Sequence, residues 1–182
     1  MASVGADADA PAPGTAATRP RRSLVLIAAV AGVVVALDQL TKWWALEALT
    51  DPTRVIDLVW TLRLRVIENT GTAFSLTSDS GPWVSVIALA VVGILLWSGR
   101  TQRSAWVLAS YGLVVGGTLG NLVDRVARAG DGGFLSGPVI DMVDLQWFPV
   151  FNLADASLTV GIGILLVAGF WGDALDDEAE DR

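Results

Sequence analysis

The stretch from Gly116 to Gly161, GGTLGNLVDRVARAGDGGFLSGPVIDMVDLQWFPVFNLADASLTVG, carries one polar pattern twice. Asn121-Leu-Val-Asp124 and Asn152-Leu-Ala-Asp155 each place an amide three residues before a carboxyl. Side chains at this spacing share one face of a helix. Each copy adjoins a long apolar run, and ionisable groups are costly beside lipid. The stretch therefore predicts two carboxylates that meet at one end of two neighbouring membrane helices.

The amino-acid composition points to an integral membrane protein. Hydrophobic residues make up 53% of the 182 residues and charged residues only 17%, whereas soluble domains have about 25% charged residues. The net charge of -7 says little about partners, because six of the acidic residues lie in the last ten positions, DALDDEAEDR. There is no basic stripe to suggest a nucleic-acid partner, so none is expected.

The chain contains neither cysteine nor histidine. This excludes disulfides, cysteine nucleophiles, triads that use histidine as the base, and zinc sites built on thiolates or histidine. We therefore expect no metal and no cofactor, and acid–base chemistry that rests mainly on aspartate and glutamate.

Apolar runs predict four membrane-spanning helices. The first run ends in two interfacial tryptophans, and cleavage after it, as in a signal peptide, stays open. We expect disordered tails at residues 1–23 and 173–182 on either side of one membrane domain, 24–172. Gly116 and Gly120 in the third run have the spacing that allows close helix packing. The predicted spans are Leu24 to Trp44, Trp83 to Trp97, Ala105 to Val123 and Asp155 to Trp171.

A sheet is expected between these spans. Residues 58–67 alternate with a period of two, which predicts one β-strand with an apolar face. A turn is expected near Gly71, and Val139 to Pro149 could add a further strand. Strand edges in lipid would leave backbone groups without partners. The sheet should therefore lie outside the bilayer core and be built from about residues 54–80 and 134–150.

Four spans would place both termini on one side of the membrane. The arginines of the N-terminal tail and of the short loop with Arg100 and Arg103 share that side, which is the cytoplasm by the positive-inside rule. In this topology Asp38, Asp124 and Asp155 all fall at the outer membrane face.

Two neighbouring aspartates provide acid–base chemistry. They cannot both ionise cheaply, so one retains a proton and the pair can act as base and acid together. Such a pair could activate water against a carbonyl while protonating the departing amide nitrogen. Asp124 ends a helix and Asp155 begins one, so the helix dipoles favour the charge on Asp155 and the proton on Asp124.

Other interpretations stay open on the residues alone. Asp124 and Asp155 could simply cap and anchor helices at the interface, where carboxylates are less costly. Asp38 and Lys42, four residues apart, could form an anchoring salt bridge. A small proton-coupled membrane carrier would also use paired aspartates. A Ser–Lys hydrolase would need neutral Lys42, but Asp38 favours its charged form.

Five separated blocks of this sequence resemble lipoprotein signal peptidase (signal peptidase II), a family of bacterial membrane aspartyl proteases. The resemblance covers about Leu24 to Gly172, and the blocks stand in the family order. The blocks are Asp38-Gln-Leu-Thr-Lys42, Asn69-Thr-Gly-Thr-Ala-Phe74, Gly120-Asn-Leu-Val-Asp-Arg125, Val139-Ile-Asp141 and Phe148-Pro-Val-Phe-Asn-Leu-Ala-Asp155.

The resemblance implies a mainly α membrane protein with four transmembrane helices and a small extracytoplasmic β-cradle. It implies Asp124 and Asp155 as the catalytic dyad of an aspartic endopeptidase. The supporting and substrate-binding positions that it implies are Asp38, Lys42, Asn69, Gly71, Asn121, Arg125, Asp141 and Asn152.

The resemblance also implies the substrate and the location. The substrate is a prolipoprotein whose cysteine already carries diacylglycerol, and cleavage just before that cysteine releases the signal peptide. Membrane lipid is an expected partner. The protein is expected to be a monomer in the bacterial cell membrane, with its active site at the outer face.

Overall fold

The computed structural model of the chain describes residues 19–49, 51, 54–71 and 81–180. Within these ranges the chain forms four long helices. Three of them are long and apolar enough to cross a membrane, and the helix over Trp83–Ser98 is apolar but shorter. The helices are α1 (Arg19–Ala48), α2 (Gly81–Ser98), α3 (Ala105–Ala127) and α4 (Leu153–Glu180).

Helices α1 and α4 both extend beyond the predicted spans. Helix α1 begins at Arg19 rather than Leu24, with Pro20 in its first turn, where proline removes no intrahelical hydrogen bond. Helix α4 continues to Glu180, through residues expected to be disordered. Ala, Leu and Glu are strong helix formers, so the acidic segment prolongs a helix that is already nucleated. Residues 1–18 and 181–182 of the expected tails lie outside the described residues.

Glycines let α3 pack closely against its two neighbours. A Cβ added at Gly116 would lie 2.9 Å from the Cα of Ala31 in α1. A Cβ at Gly120 would lie 3.2 Å from the Cβ of Ala154 in α4. The predicted close approach at Gly116 and Gly120 is therefore confirmed, and α3 lies between α1 and α4.

The helices alternate in direction. The hydroxyl of Ser23, near the start of α1, donates to the carbonyl of Gln102 in the α2–α3 loop at 3.3 Å. At the other end, the N–H of Ala154 donates to Asp38 Oδ1 at 3.0 Å, so α4 begins beside the last third of α1. Asp38, Asp124 and Asp155 therefore lie at the same end of the bundle, and their place at the outer membrane face stays a prediction.

Three short strands form an antiparallel sheet in the order β1 (Ile56–Val59), β2 (Leu62–Asn69) and β3 (Val139–Asp144). The further strand expected after Val139 is confirmed. The prediction of one strand over 58–67 is wrong, because the chain turns at Trp60 and Thr61. Trp60 has φ 54° and is 96% exposed. Two-residue hairpin turns usually contain Asn or Gly. This turn contains neither, and the alternation that indicates a strand continues across it.

The sheet rests on the end of α1. Ala45 of α1 and Leu49, just after the helix, pack with Met142 of β3 and with the partly buried Leu64 and Val66 of β2. Ile67 of β2 pairs with Asp141 of β3 in the register. This packing holds the sheet at the carboxylate end of the helices. Residues 72–80, which the expected β-cradle includes, lie outside the described residues.

Candidate active site

Lys42 links two buried carboxylates at the helix end. Its Nζ lies 2.8 Å from Asp38 Oδ2 and 2.8 Å from Asp124 Oδ2. All three side chains are almost completely buried. Asp124 Oδ2 also accepts the backbone N–H of Ile140 at 3.1 Å. Because α1, α3 and β3 each contribute a group, this ion cluster joins the helices to the sheet.

The ion cluster bears on the expected charge distribution. Helix dipoles alone favour the charge on Asp155 and the proton on Asp124. The ammonium of Lys42, which was expected to pair with Asp38, also lies in direct contact with Asp124. The helix dipoles are therefore not the only electrostatic influence on Asp124.

Two asparagine amides connect the ion cluster to two further carboxylates. Asn121 accepts from Lys42 at 3.1 Å and donates to Asp155 Oδ1 at 2.8 Å. Asn152 donates to Asn121 Oδ1 at 3.1 Å and to Asp141 Oδ1 at 2.6 Å. Both asparagines thus act as bridges, and each repeated Asn-x-x-Asp motif supplies one of them.

Asn152 also sets the start of α4. It precedes the first helical residue, and its Oδ1 accepts the N–H of Asp155 at 3.0 Å. In return Asp155 Oδ2 accepts the N–H of Asn152 at 3.2 Å. This reciprocal pair is a capping box in which aspartate replaces the usual glutamate. The second motif therefore has a local folding role as well as a place in the site.

Asp141 is a buried carboxylate with amide partners. Its Oδ2 accepts from Asn69 at 3.0 Å, and its Oδ1 accepts from Asn152. Burial is the main cause that raises the pKa of Asp141 to about 6, and the charge of Asp155 adds to the rise. The hydrogen bonds from the two asparagines and the more distant charge of Lys42 oppose it. Asp141 is thus poised to hold a proton near neutral pH.

A cavity of about 280 Å³ opens beside this network. Asp141 and Asp155 both line it, together with Arg125, whereas Asp124 is not among its lining residues. The opposite wall is apolar and is formed by α2, α3 and α4. The remaining lining residues are Asn69, Gly71, Val84, Ser85, Ala88, Thr118, Asn121, Leu122, Val139 and Leu158.

A second cavity, of about 620 Å³, reaches Asn69 and Asp155 from the other side. Its wall is the aromatic segment that follows β3. Trp147 and Phe148 meet edge to face with ring centroids 6.0 Å apart, and Phe148 meets Phe151 in the same way at 5.9 Å. Asp155 therefore lines both cavities.

The structure brings all ten residues that the family resemblance implied into one connected region. Gly71, at φ 91°, donates its N–H to Asn69 Oδ1 at 2.9 Å, a bend that favours glycine. Sequence reasoning missed the two backbone donors, the N–H groups of Ile140 and Ala154. No sequence signal marks them, because the fold alone determines where a backbone group points.

Sequence reasoning also missed a pairing on the sheet. Asp144 lies 2.8 Å from Arg63 Nε and 2.5 Å from Arg65 Nε, and it accepts the N–H of Gln146 at 2.7 Å. Burial raises the pKa of the Asp144 carboxyl, but the Gln146 N–H and the two guanidinium groups outweigh burial and hold the pKa below its usual value. Asp144 thus fastens β2 to β3 as a charged group.

The described residues contain no group of three or more acidic, histidine or cysteine side chains placed to hold a metal ion. The polar groups that line the cavity include two carboxylates, two asparagine amides and one guanidinium. Such a set can move protons and orient a carbonyl.

Fold and site together define a helical membrane protein with an acid–base cavity at one end of its bundle. A solved structure described as a bacterial membrane enzyme is similar at 25% identity and a TM-score of 0.66, over 89% of this chain and 92% of that one. The family model described as Signal peptidase (SPase) II matches residues 30–171. The chain belongs to the signal peptidase II family and is therefore a protease.

Named relatives agree with this family. The lipoprotein signal peptidase of Rhodococcus jostii is 41% identical over 88% of this chain and 79% of its own length. That of Mycobacterium avium is 39% identical over 87% of this chain and 86% of its own length. The proton-coupled carrier alternative has no such support.

Proposed function

We propose that the chain is an aspartic endopeptidase that removes signal peptides from prolipoproteins whose cysteine already carries diacylglycerol. Cleavage falls just before that cysteine, with water as the nucleophile. Family membership and the names of the relatives support the substrate class. The observation that carries the chemistry is the wall of the cavity, where Asp141 and Asp155 lie together.

The geometry favours Asp141 and Asp155 as the reacting pair. Both line the cavity, and Asp141 has a pKa of about 6. Asp124 lies behind this wall, with Oδ2 held by Lys42 and by the N–H of Ile140. The pairing of Asp124 with Asp155, expected from the repeated motif, stays a prediction that the variants described below distinguish.

The two carboxylates take complementary parts in the reaction. Asp155 accepts hydrogen bonds from Asn121 and Asn152, which hold its carboxylate in place, and it removes a proton from the attacking water. Asp141 holds a proton more readily because it is buried, and it delivers that proton to the departing amide nitrogen.

Arg125 is placed to bind the scissile carbonyl. Its Nη1 is buried and has no hydrogen-bond acceptor among the described residues, and its side chain lines the cavity beside both carboxylates. A guanidinium donor at this point stabilises the negative charge that develops on the carbonyl oxygen. The carbonyl of the substrate would supply the missing acceptor.

The apolar wall suits a lipid-modified substrate. Val84 and Ala88 of α2 face Leu122 and Leu158 of α3 and α4 across the same cavity that holds the carboxylates. A scissile bond next to a diacylglyceryl cysteine needs a polar centre and an apolar flank within a few ångströms. The acyl chains therefore lie between the helices while the peptide bond faces Asp141 and Asp155.

Four spans, with α2 as the shortest, set the orientation. Both termini lie in the cytoplasm, and the carboxylate end of the bundle with its sheet lies at the outer face. The support is the position of the basic residues: Arg22, Arg100 and Arg103 gather at the end opposite to Asp155. The substrate's signal helix then reaches the site from within the bilayer.

Cleavage of a synthetic prolipoprotein peptide with a diacylglyceryl cysteine tests this function. The purified protein in micelles should release the signal peptide, and mass spectrometry should place the cut just before the cysteine. Asp141→Asn and Asp155→Asn should each lower kcat by about 10²- to 10⁴-fold while the thermal midpoint stays close to that of the parent. Asp57→Asn, at an exposed carboxylate on β1, is the control and should keep full activity.

The same assay decides between the two pairings. If Asp141 is the partner of Asp155, Asp124→Asn lowers the thermal midpoint because Lys42 loses one of its two carboxylates. If Asp124 is the partner, the midpoint of Asp124→Asn falls as well because the Lys42 contact is lost, but Asp141→Asn then keeps its turnover. Full turnover in Asp155→Asn would overturn both pairings.

A further inference from the structure

We propose that the end of the bundle opposite to the carboxylate cavity carries a binding site for the phosphate of an anionic phospholipid. The site is a separate cavity of about 530 Å³ between the start of α1 and the α2–α3 loop. It shares no lining residue with the cavity that holds Asp141 and Asp155.

Three arginines from two separate chain segments surround this cavity. Arg22 comes from the first turns of α1, whereas Arg100 and Arg103 come from the α2–α3 loop. The Ser23 hydroxyl fastens the two segments by donating to the carbonyl of Gln102 at 3.3 Å. None of the described lining residues is acidic. The cavity therefore concentrates positive charge that no carboxylate on its wall neutralises.

Helix α3 begins beside this cavity. The side-chain oxygen of Gln102 accepts the N–H groups of Arg103 and Ser104 at 2.7 and 2.9 Å, so these two donors are already satisfied. The helix starts at Ala105, and the N–H groups of its first turn have no intrahelical acceptor and carry a partial positive charge. This partial charge adds to that of the arginines, because Arg103 and Leu108 on either side of the helix start both line the cavity.

The floor of the cavity favours a lipid over a free anion. Leu26 of α1 and Leu108 of α3 line it beneath the arginines. Basic pockets between membrane helices on the cytoplasmic side are suited to anionic headgroups. Arginines are expected on that side of any membrane protein, but here they surround one cavity that also has an apolar floor. This combination matches a phosphate attached to an acyl glycerol.

Lipid binding to the full chain in micelles provides the test. Native mass spectrometry would titrate the protein with phosphatidylglycerol, with phosphatidylcholine and with inorganic phosphate, and thermal unfolding would be followed in parallel. Phosphatidylglycerol should bind and raise the thermal midpoint, whereas phosphatidylcholine and inorganic phosphate at the same concentration should do neither. Equal effects of both lipids would overturn the proposal. An equal effect of inorganic phosphate would overturn the assignment to a lipid.

Arginine variants locate the site. Arg22→Gln, Arg100→Gln and Arg103→Gln should each weaken phosphatidylglycerol binding by about fivefold, and the triple variant should lose the thermal shift. Arg54→Gln is the matched control, since Arg54 is exposed and does not line the cavity. Retained binding in all three single variants, or an equal loss in Arg54→Gln, would overturn the proposal even if the triple variant fails to fold.

Discussion

Asp124 and Asp141 are buried almost equally, at 1% and 2% exposure, yet their neighbours differ. Asp124 lies against the ammonium of Lys42, with the Arg128 guanidinium 3.5 Å away. Asp141 receives only amide hydrogen bonds, from Asn69 and Asn152. A buried carboxylate beside a cation joins structural elements together. A buried carboxylate held by neutral donors keeps the ability to exchange a proton near neutral pH.

The largest expected effect comes from removing the cation beside Asp124. Lys42→Met would leave Asp38 and Asp124 buried without their shared cation, because Lys42 contacts both at 2.8 Å. Removing one partner of a buried ion pair costs about 3–5 kcal/mol of stability. Denaturant unfolding in micelles should show this loss. Arg54→Met, at an exposed position, is the control. A loss below about 1 kcal/mol, the range of surface pairs, would show that the cluster does not hold the fold.

The next effect is the response of Asp141 to pH. Its pKa is about 6 in the folded protein against the ordinary 3.8, so the folded state binds this proton more tightly than the unfolded chain. The contribution of Asp141 to the free energy of unfolding therefore falls as the pH rises from about 4 to about 6, by at most about 3 kcal/mol. The difference in stability between Asp141→Asn and the parent should follow this course. A difference that is constant from pH 4 to 7 would contradict the raised pKa.

A smaller effect tests how tightly the ion cluster is packed. The Cβ of Gly120→Ala would lie 2.7 Å from Asp38 Oδ2 and must displace that carboxylate from Lys42. Overpacking of this kind costs about 1–3 kcal/mol. Gly163→Ala in α4 has nothing within 4 Å of the added Cβ and should be neutral or slightly stabilising. Equal thermal midpoints for the two variants would show that the Asp38 carboxylate has room to move.

The smallest expected effect comes from removing one of the amide hydrogen bonds to Asp141. Asn69→Ala removes a hydrogen bond that holds down the pKa of Asp141. With Asp141 as the acid, kcat/KM should decline above an apparent pKa near 6 in the parent. In Asn69→Ala this decline should move to higher pH. Thr101→Ala, which removes an exposed hydrogen bond at the other end of the bundle, should leave it in place. A decline that moves to lower pH in Asn69→Ala would show that the hydrogen bond from Asn69 does not lower the pKa of Asp141.

The helical spacing in the sequence predicted the residues of the candidate site, but it did not indicate which carboxylate lines the cavity. Asn121 and Asp124 do lie near one face of α3. However, the Asn121 amide bonds in two directions. Its oxygen accepts from Lys42, on the side of α3 where Asp124 lies. Its nitrogen donates to Asp155, on the side where Arg125 lines the cavity. Seen along the helix axis, Asp124 (three residues after Asn121) and Arg125 (four residues after it) project to opposite sides of Asn121. Only the neighbouring helices determine which of these two sides faces the cavity.

The sheet shows a second limit of the sequence. The alternation of residues 58–67 correctly indicated β structure, and the strand after Val139 was also found. The turn at Trp60 and Thr61 could not be found, because its chemistry resembles that of the strands on either side. The pairing of Ile67 with Asp141 is non-local, and it is this register that brings Asn69 and Asp141 to the cavity.

The position of Lys42 has a practical consequence. It is the only lysine of the chain, and its side chain is 1% exposed. Amine-directed labels, and proteases that cut after lysine, can reach it only when the end of α1 separates from α3. The rate at which this one residue is acetylated or cleaved therefore reports how often the folded bundle opens, without any substitution in the chain.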